Sequence, residues 1–196
     1  MGVKTDMAFW LLYIFIIIQR LTELYLAKCN EVKMKRRGAI EVGGDHYKYI
    51  VTVHLLFFIS FFTEYVLSNK SLSVLWPMLL FIFVFTQAIR VWALYSLGEY
   101  WNTKIIILPN ADIVAKGPYK YIRHPNYAIV ALEILIIPLL FNCYITSIVF
   151  TFLNSIVLSI RISVEEKALM DLLEYKQEFS SRSRFLPVRL ATKTAK

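Results

Sequence analysis

The sequence predicts an all-α polytopic membrane protein with about five transmembrane helices and a C-terminal amphipathic helix on the cytoplasmic side. Of its 196 residues, 58% are hydrophobic and only 18% are charged, whereas soluble domains usually carry about 25% charged residues. The apolar residues are gathered in long blocks, as lipid-facing helices require. We expect one membrane domain over residues 1–196, with three spans within residues 7–97 and the remaining elements within residues 98–187.

Five apolar blocks predict the individual spans. The blocks are residues 7–27, 50–67, 74–97, 128–141 and 145–160. The last two are shorter than the ~20 residues that a helix needs to cross a bilayer. We therefore expect them to be tilted, kinked at Pro138 or paired as a hairpin. Helical periodicity continues beyond the fifth block, which predicts the amphipathic helix. Its apolar stripe is Val164, Ala168, Leu172, Tyr175 and Phe179.

The basic residues predict how the chain is oriented. Of the 22 Lys and Arg residues, 18 fall on one side of the predicted membrane and two on the other, while Arg20 and Arg90 lie within spans. The positive-inside rule then places the C-terminus in the cytoplasm and the N-terminus outside the cell membrane. The net charge of +8 thus marks membrane borders and contacts with anionic lipids. We expect membrane lipids as partners and no nucleic acid.

Residues typical of metal and dinucleotide sites are sparse. The two cysteines and three histidines show no spacing suited to a metal ion. No G-x-G-x-x-G motif follows a predicted strand, which argues against a Rossmann-type cofactor site. We therefore expect no metal site.

Several charged residues fall inside the predicted spans, where they usually face the bundle interior or a polar cavity. Arg20, Glu23, Glu64 and Arg90 lie near span ends, so snorkelling or pairing is the simpler explanation for them. Glu133 lies one and a half turns into the fourth span and has no cation near it in the sequence. We expect it to face protein or a bound ligand.

The densest polar cluster is the segment DIVAKGPYKYIRHPNY at residues 112–127. Gly117-Pro118 is a turn signal, and Pro125 suits the first turn of the fourth helix. The free backbone amides at that helix start are able to bind an anion. The alternative is an interfacial belt of tyrosines with basic anchors.

A second polar cluster, RISVEE at residues 161–166, lies where the fifth span meets the cytoplasm. Arg161 and Glu165 are one helical turn apart, so a surface ion pair is the plain alternative. The two clusters share one membrane depth although they come from different segments. They therefore predict a pocket at the membrane border.

The strings GPYKYIRHPNY and, about forty residues later, RISVEEKALMDLLEYKQEFSSRSRFLP together resemble the isoprenylcysteine carboxyl methyltransferase and phospholipid methyltransferase family. The resemblance is strongest from Asn102 to Pro187 and looks closest to small bacterial five-span members of the alkylpyrone O-methyltransferase type. It implies an S-adenosyl-L-methionine-dependent O-methyltransferase. Its acceptor would be lipid-like, such as an alkylpyrone or a prenylcysteine-type acid, and would enter from the lipid side. A homo-oligomer is compatible with this expectation.

The resemblance also implies which residues form the site. Arg161 is expected to contact the acceptor as the catalytic residue, and Glu165 to contact the cofactor. The other expected cofactor-binding residues are Ala111, Asp112, Ile113, Val114, Tyr119, His124, Pro125, Asn126 and Tyr127.

Two other classes of function stay open at this point. Membrane sterol reductases carry a string similar to RHPNY, so an NADPH-dependent membrane reductase is one alternative. A membrane scaffold or small transporter without enzymatic activity is the other. The cofactor that the purified protein binds distinguishes the three.

Overall fold

The computed structural model describes residues 2–172 and 184–185. Its helices are α1 (Gly2–Arg36), α2 (Gly44–Leu67), α3 (Trp76–Leu97), α4 (Pro125–Leu139) and α5 (Tyr144–Leu172). Within the described ranges, α1, α2, α3 and α5 are long and apolar enough to cross a membrane, and α4 is a shorter apolar helix. The predicted fold class, a helical polytopic membrane protein, is confirmed.

The helices extend further than the apolar blocks indicate. α2 begins at Gly44, and α1 continues to Arg36. The extension of α1 follows because lysine, arginine and glutamate favour helix as well as apolar residues do. The fifth apolar block and the first part of the predicted amphipathic helix form one continuous helix, α5, which is 29 residues long. The rest of that predicted helix, with Tyr175 and Phe179, lies outside the described residues.

α4 is the shortest helix of the bundle. Its 15 residues give a length of about 22 Å at the usual rise per residue, which is less than the ~30 Å of a bilayer core. Ile134, Ile137 and Pro138 are buried, because α4 packs between α3 and α5. A tight turn then leads into α5, in which the Cys143 amide donates to the Pro138 carbonyl at 3.0 Å.

An aromatic cluster closes the end of the bundle at which α2 ends and α5 begins. The rings of Phe9 and Tyr65 stack at 3.6 Å between centroids, and the ring of Phe141 meets both of them edge-on. At the same end, the Glu64 carboxylate accepts the backbone amides of Ile145 (3.2 Å) and Thr146 (2.7 Å). Glu64 therefore supplies acceptors for the first turn of α5, whose amides have no partner within the helix.

A two-stranded antiparallel sheet, which the sequence did not predict, lies at the opposite end. Strand β1 (Ile40–Val42) pairs with β2 (Ile105–Ile107) so that Ile40 faces Ile107 and Val42 faces Ile105. Ile105 and Ile107 pack on Ala168 of α5. The sheet thereby holds the loop that follows β2 against the end of the bundle where α4 begins.

Candidate active site

A cavity of about 890 Å³ lies at the end of the bundle where α4 begins. This volume falls in the range of small-molecule sites. Its walls come from α1, α2, α3, the segment from α3 to β2, the loop after β2, the start of α4 and the end of α5. Segments that are distant in sequence thus meet around one space, as the two polar clusters predicted.

The loop after β2 forms one wall with four residues that the resemblance singled out. Ala111, Asp112, Ile113 and Val114 all line the cavity. The wall is therefore apolar, apart from one carboxylate and the backbone.

A 3₁₀ turn, Gly117–Lys120, continues this wall. Gly117 has a φ of +58°, and a Cβ atom placed there would lie 1.9 Å from Ser96 Oγ of α3. Only glycine therefore fits at this contact. The close packing fixes Tyr119, whose hydroxyl accepts a hydrogen bond from Asn126 Nδ2 at 2.9 Å. Burial raises the pKa of Tyr119 above its ordinary value, so its hydroxyl stays protonated at neutral pH.

The centre of the site is a chain of three side chains from α4 and α5. Arg161 Nε donates to the Tyr127 hydroxyl at 2.7 Å, and the Tyr127 hydroxyl donates to the Glu165 carboxylate. A second Arg161 nitrogen, Nη2, donates to the Thr103 carbonyl at 2.7 Å. Arg161 is buried, and all three side chains line the cavity. Among the described residues, Arg161 and Glu165 form no direct ion pair, so the surface-pair alternative does not describe them.

His124 and Pro125 have different positions around the start of α4. Pro125 is fully buried in the first turn and does not line the cavity. His124 lines the cavity, but its Nε2 lies 3.1 Å from Glu166 Oε1 and its backbone amide donates to the Arg184 carbonyl. His124 thus connects α4 to α5.

Glu166 is a buried acid to which the sequence patterns assigned no contact. Only 4% of its surface is exposed, and its carboxylate accepts from Arg184 Nη2 at 2.5 Å and Arg123 Nη1 at 3.4 Å, besides His124. Its position directly after Glu165, with two adjacent acids at the end of an apolar span, was the available signal.

Sequence reasoning also missed the segment between α3 and β2. Trp101, Asn102 and Thr103 line the cavity, and bonds from α1 fix them in place. Asn30 Nδ2 donates to the Trp101 carbonyl at 2.8 Å, and Asn102 Nδ2 donates to the Ala27 carbonyl at 3.1 Å. No local pattern marks these residues, since their role depends on packing against a helix about seventy residues away.

The cavity continues from these polar groups into an apolar slot between α1 and α2. Leu21 of α1 and Leu55 of α2 line it although each is 60% exposed on the outer surface of the bundle. Both helices are long and apolar enough to cross a membrane.

The fold defines an integral membrane protein, and the cavity is its candidate ligand site. The profile of the isoprenylcysteine carboxyl methyltransferase (ICMT) family matches residues 78–171. The chain is 50% identical over 163 residues to the uncharacterized protein YpbQ of Bacillus subtilis, covering 83% of this chain and 97% of YpbQ. It is 28% identical over 158 residues to an uncharacterized protein of Haemophilus influenzae, covering 80% of this chain and 92% of the relative. The chain belongs to the ICMT family, and this membership indicates a membrane methyltransferase.

Proposed function

We propose that the protein transfers a methyl group from S-adenosyl-L-methionine to an oxygen of a long-chain, lipid-like acceptor. The acceptor class that we favour is an alkylpyrone or a prenylcysteine-type acid. One observation carries the proposal: a single cavity joins the polar groups of the family motifs to an apolar slot lined by α1 and α2, two helices able to span the membrane. A reaction between a polar cofactor and a membrane lipid needs these two environments in contact.

The polar end of the cavity suits the chemistry of the cofactor. S-adenosyl-L-methionine carries a sulfonium, an ammonium and a carboxylate beside an adenosine group. Asp112 and Glu165 offer carboxylates for the positive groups, and Ile113 and Val114 offer an apolar surface for the adenine. Asn126 and the protonated Tyr119 hydroxyl offer neutral hydrogen-bonding groups. The residues present therefore fit this cofactor.

The slot between α1 and α2 suits a long alkyl chain. Its walls include Ile17, Leu21, Leu55 and Ile59, and an apolar tail gains nothing from leaving such walls for water. A substrate dissolved in the bilayer therefore enters sideways and presents its polar head to Arg161 and Tyr127.

Arg161 has the geometry to orient an acceptor oxygen. Its Nε and Nη2 atoms are held by Tyr127 and Thr103, while Nη1 has no hydrogen-bond partner among the described residues. A guanidinium fixed at two points directs its remaining donors in one direction, and arginine suits planar oxyanions. Because a carboxylate or an enolate is already a nucleophile, the protein has to position it and exclude water rather than remove a proton.

The cofactor supplies a methyl group on positively charged sulfur, so the leaving group departs neutral. Tyr127 links the two halves of the site, because its hydroxyl accepts from Arg161 and donates to Glu165. It thereby fixes the spacing between the group proposed to hold the acceptor and the carboxylate proposed to hold the cofactor. Alignment of the two reacting atoms is the largest contribution that such a site is able to make.

The charge pattern supports a cytoplasmic orientation for this site. The connections after α1 and α3, which adjoin the cavity, contain Arg37, Lys104, Lys116, Lys120 and Arg123. Basic loops of this kind stay on the cytoplasmic side, where the cofactor is made and used.

The test is methyl transfer by detergent-purified protein from S-adenosyl-L-methionine labelled in its methyl group. An alkyl hydroxypyrone should receive the label, and the same pyrone with its hydroxyl already methylated should not. Equal labelling of the two pyrones would contradict O-methylation. Absence of label in both the pyrone and a farnesylcysteine acceptor would contradict the proposed substrate class.

A further inference from the structure

Four charged residues meet in the interior of the bundle, deeper in the membrane than the candidate active site. Arg90 of α3 donates from Nη1 to Glu23 Oε1 at 2.9 Å and from Nε to Glu133 Oε1 at 3.0 Å. Arg20 of α1 donates from Nη1 to Glu23 Oε2 at 2.9 Å and also pairs with Glu133. Two cations and two anions make the cluster neutral overall. Such intramembrane groups usually face a polar cavity or a functional site.

The cluster has a sealed side and a side that lines the cavity. The Glu133 side chain is 2% exposed and does not line the cavity, whereas the Arg20 side chain is 19% exposed and lines it together with Glu23 and Arg90. Arg20 uses one bond from each terminal nitrogen for carboxylates, which leaves each of these nitrogens a second N–H, whereas its Nε is buried without a hydrogen-bond partner among the described residues. Holding three helices together explains Glu133. It does not explain why Arg20, whose terminal nitrogens have unused N–H groups, lines the cavity.

His54 of α2 brings an acceptor to the same part of the cavity. Its Nδ1 lies 2.9 Å from the Ile50 carbonyl oxygen. A carbonyl only accepts, so Nδ1 carries the proton, and Nε2 of the neutral ring is then an acceptor. His54 lines the cavity, and the Tyr13 hydroxyl of α1 donates to the Phe58 carbonyl of α2 at 3.2 Å. Because α1 and α2 run antiparallel past this contact, Arg20 and His54 lie within about 5 Å of the same depth. The cavity thus contains a donor and an acceptor at a similar depth.

The distance from the reacting groups follows from α4. Glu133, which Arg20 contacts, comes six residues after Tyr127 on this helix. At the usual rise per residue, Glu133, and with it the charged cluster, lies about 9 Å deeper along the helix axis than Tyr127. When the reacting oxygen of an acceptor lies at Arg161, the atoms that reach the charged cluster are therefore several bonds from that oxygen.

We infer that Arg20 and His54 form a second polar subsite, which binds an uncharged hydroxyl group on the chain of the acceptor, remote from the oxygen that is methylated. A hydroxyl accepts from an unused N–H of Arg20 and donates to His54 Nε2, so it satisfies both, whereas a plain alkyl chain satisfies neither. An anionic group would give the neutral cluster a net charge inside the membrane, which is costly. The identity of the reacting end rests on the proposed function, but the subsite itself is measurable as binding.

The test compares octadecanoic acid with a series of positional isomers of monohydroxyoctadecanoic acid. Binding to the detergent-solubilised full chain is followed by tryptophan fluorescence, since Trp101 lines the cavity. The parent should bind a mid-chain hydroxy isomer roughly tenfold more tightly than octadecanoic acid, as expected for hydrogen bonds to a charged donor and a ring nitrogen. The isomer with the hydroxyl beside the carboxyl group should bind no more tightly than octadecanoic acid.

His54→Leu should abolish this preference while leaving the ion pairs of the cluster intact, because His54 takes part in none of them. His46→Leu is the matched control, since His46 is exposed and does not line the cavity. Equal affinity of the parent for all the acids overturns the subsite, as does a preference that survives in His54→Leu.

A titration of the same samples with S-adenosylhomocysteine separates the two proposals. Hydroxyl preference without cofactor binding supports the subsite and contradicts the proposed methyltransferase. Cofactor binding without hydroxyl preference supports the proposed methyltransferase and contradicts the subsite.

Discussion

Replacement of Arg161 by lysine separates a positioning role from a merely electrostatic one. Arg161 donates two bonds of 2.7 Å in different directions, from Nε to Tyr127 and from Nη2 to Thr103, and Nη1 stays available. Lysine keeps the charge but has one nitrogen on a flexible stem. That single nitrogen is unable to replace the hydrogen bonds to both Tyr127 and Thr103 and also contact the acceptor.

The magnitude follows from the bond that is lost. A hydrogen bond to a charged group in a buried place contributes ~1.5–3 kcal/mol, and each 1.36 kcal/mol changes a rate tenfold. Arg161→Lys should therefore lower turnover by roughly ten- to a hundredfold. The affinity for S-adenosylhomocysteine should change little, because Tyr127 still donates to Glu165.

The assay is turnover with labelled cofactor and an alkyl hydroxypyrone, beside calorimetry with S-adenosylhomocysteine on the same sample. Arg36→Lys, at the exposed end of α1, is the matched control and should behave like the parent. Turnover of Arg161→Lys within about twofold of the parent would refute the argument. So would an equal loss of turnover and cofactor affinity, because that pattern indicates general damage to the site.

Three further predictions concern the scaffold around the site. Glu166→Gln removes the charge of a buried carboxylate that holds two chain segments, so the unfolding temperature in detergent should fall by several degrees; an unchanged unfolding temperature would contradict this role. Gly117→Ala should lower both stability and cofactor affinity, because the new methyl group overlaps Ser96 at a positive φ, and normal binding would show that the turn is not fixed by this contact. Single cysteines at Lys70 and Lys196, in a background without native cysteines, should label from opposite sides of intact cells; labelling from one side would contradict the topology.

The sequence predicted the helices well because the bilayer imposes their length and composition. The fourth and fifth helices show what apolar composition predicts about the length of a helix and what it does not. α4 was correctly expected to be short. Apolar composition alone does not detect the charged last turns of α5, which ends at Leu172, and only the helical periodicity beyond residue 160 indicated them. Strands β1 and β2 have three residues each, too few for a pattern of alternation to be visible.

The site was only partly predictable, and its two adjacent acids show why. Glu165 and Glu166 differ by about 100° around the helix, so one faces the cavity and the other the start of α4. A motif places both residues at the membrane border but does not say which one meets Tyr127 and which one meets His124.

Glu133 shows that sequence patterns also fail to identify partners that are distant along the chain. It has no cation near it in the sequence, yet it pairs with Arg20 and Arg90, which lie 113 and 43 residues away. Only the packing of α1, α3 and α4 brings these groups together.

The central claim, that the polar end of the cavity binds S-adenosyl-L-methionine, is tested most directly by calorimetry. The purified protein is titrated with S-adenosylhomocysteine and, separately, with NADPH. We predict saturable binding of S-adenosylhomocysteine and none of NADPH, and a loss of ~1.5–3 kcal/mol in Glu165→Gln, which removes a charged acceptor. Binding of NADPH in place of S-adenosylhomocysteine, or unchanged affinity in Glu165→Gln, would contradict the account.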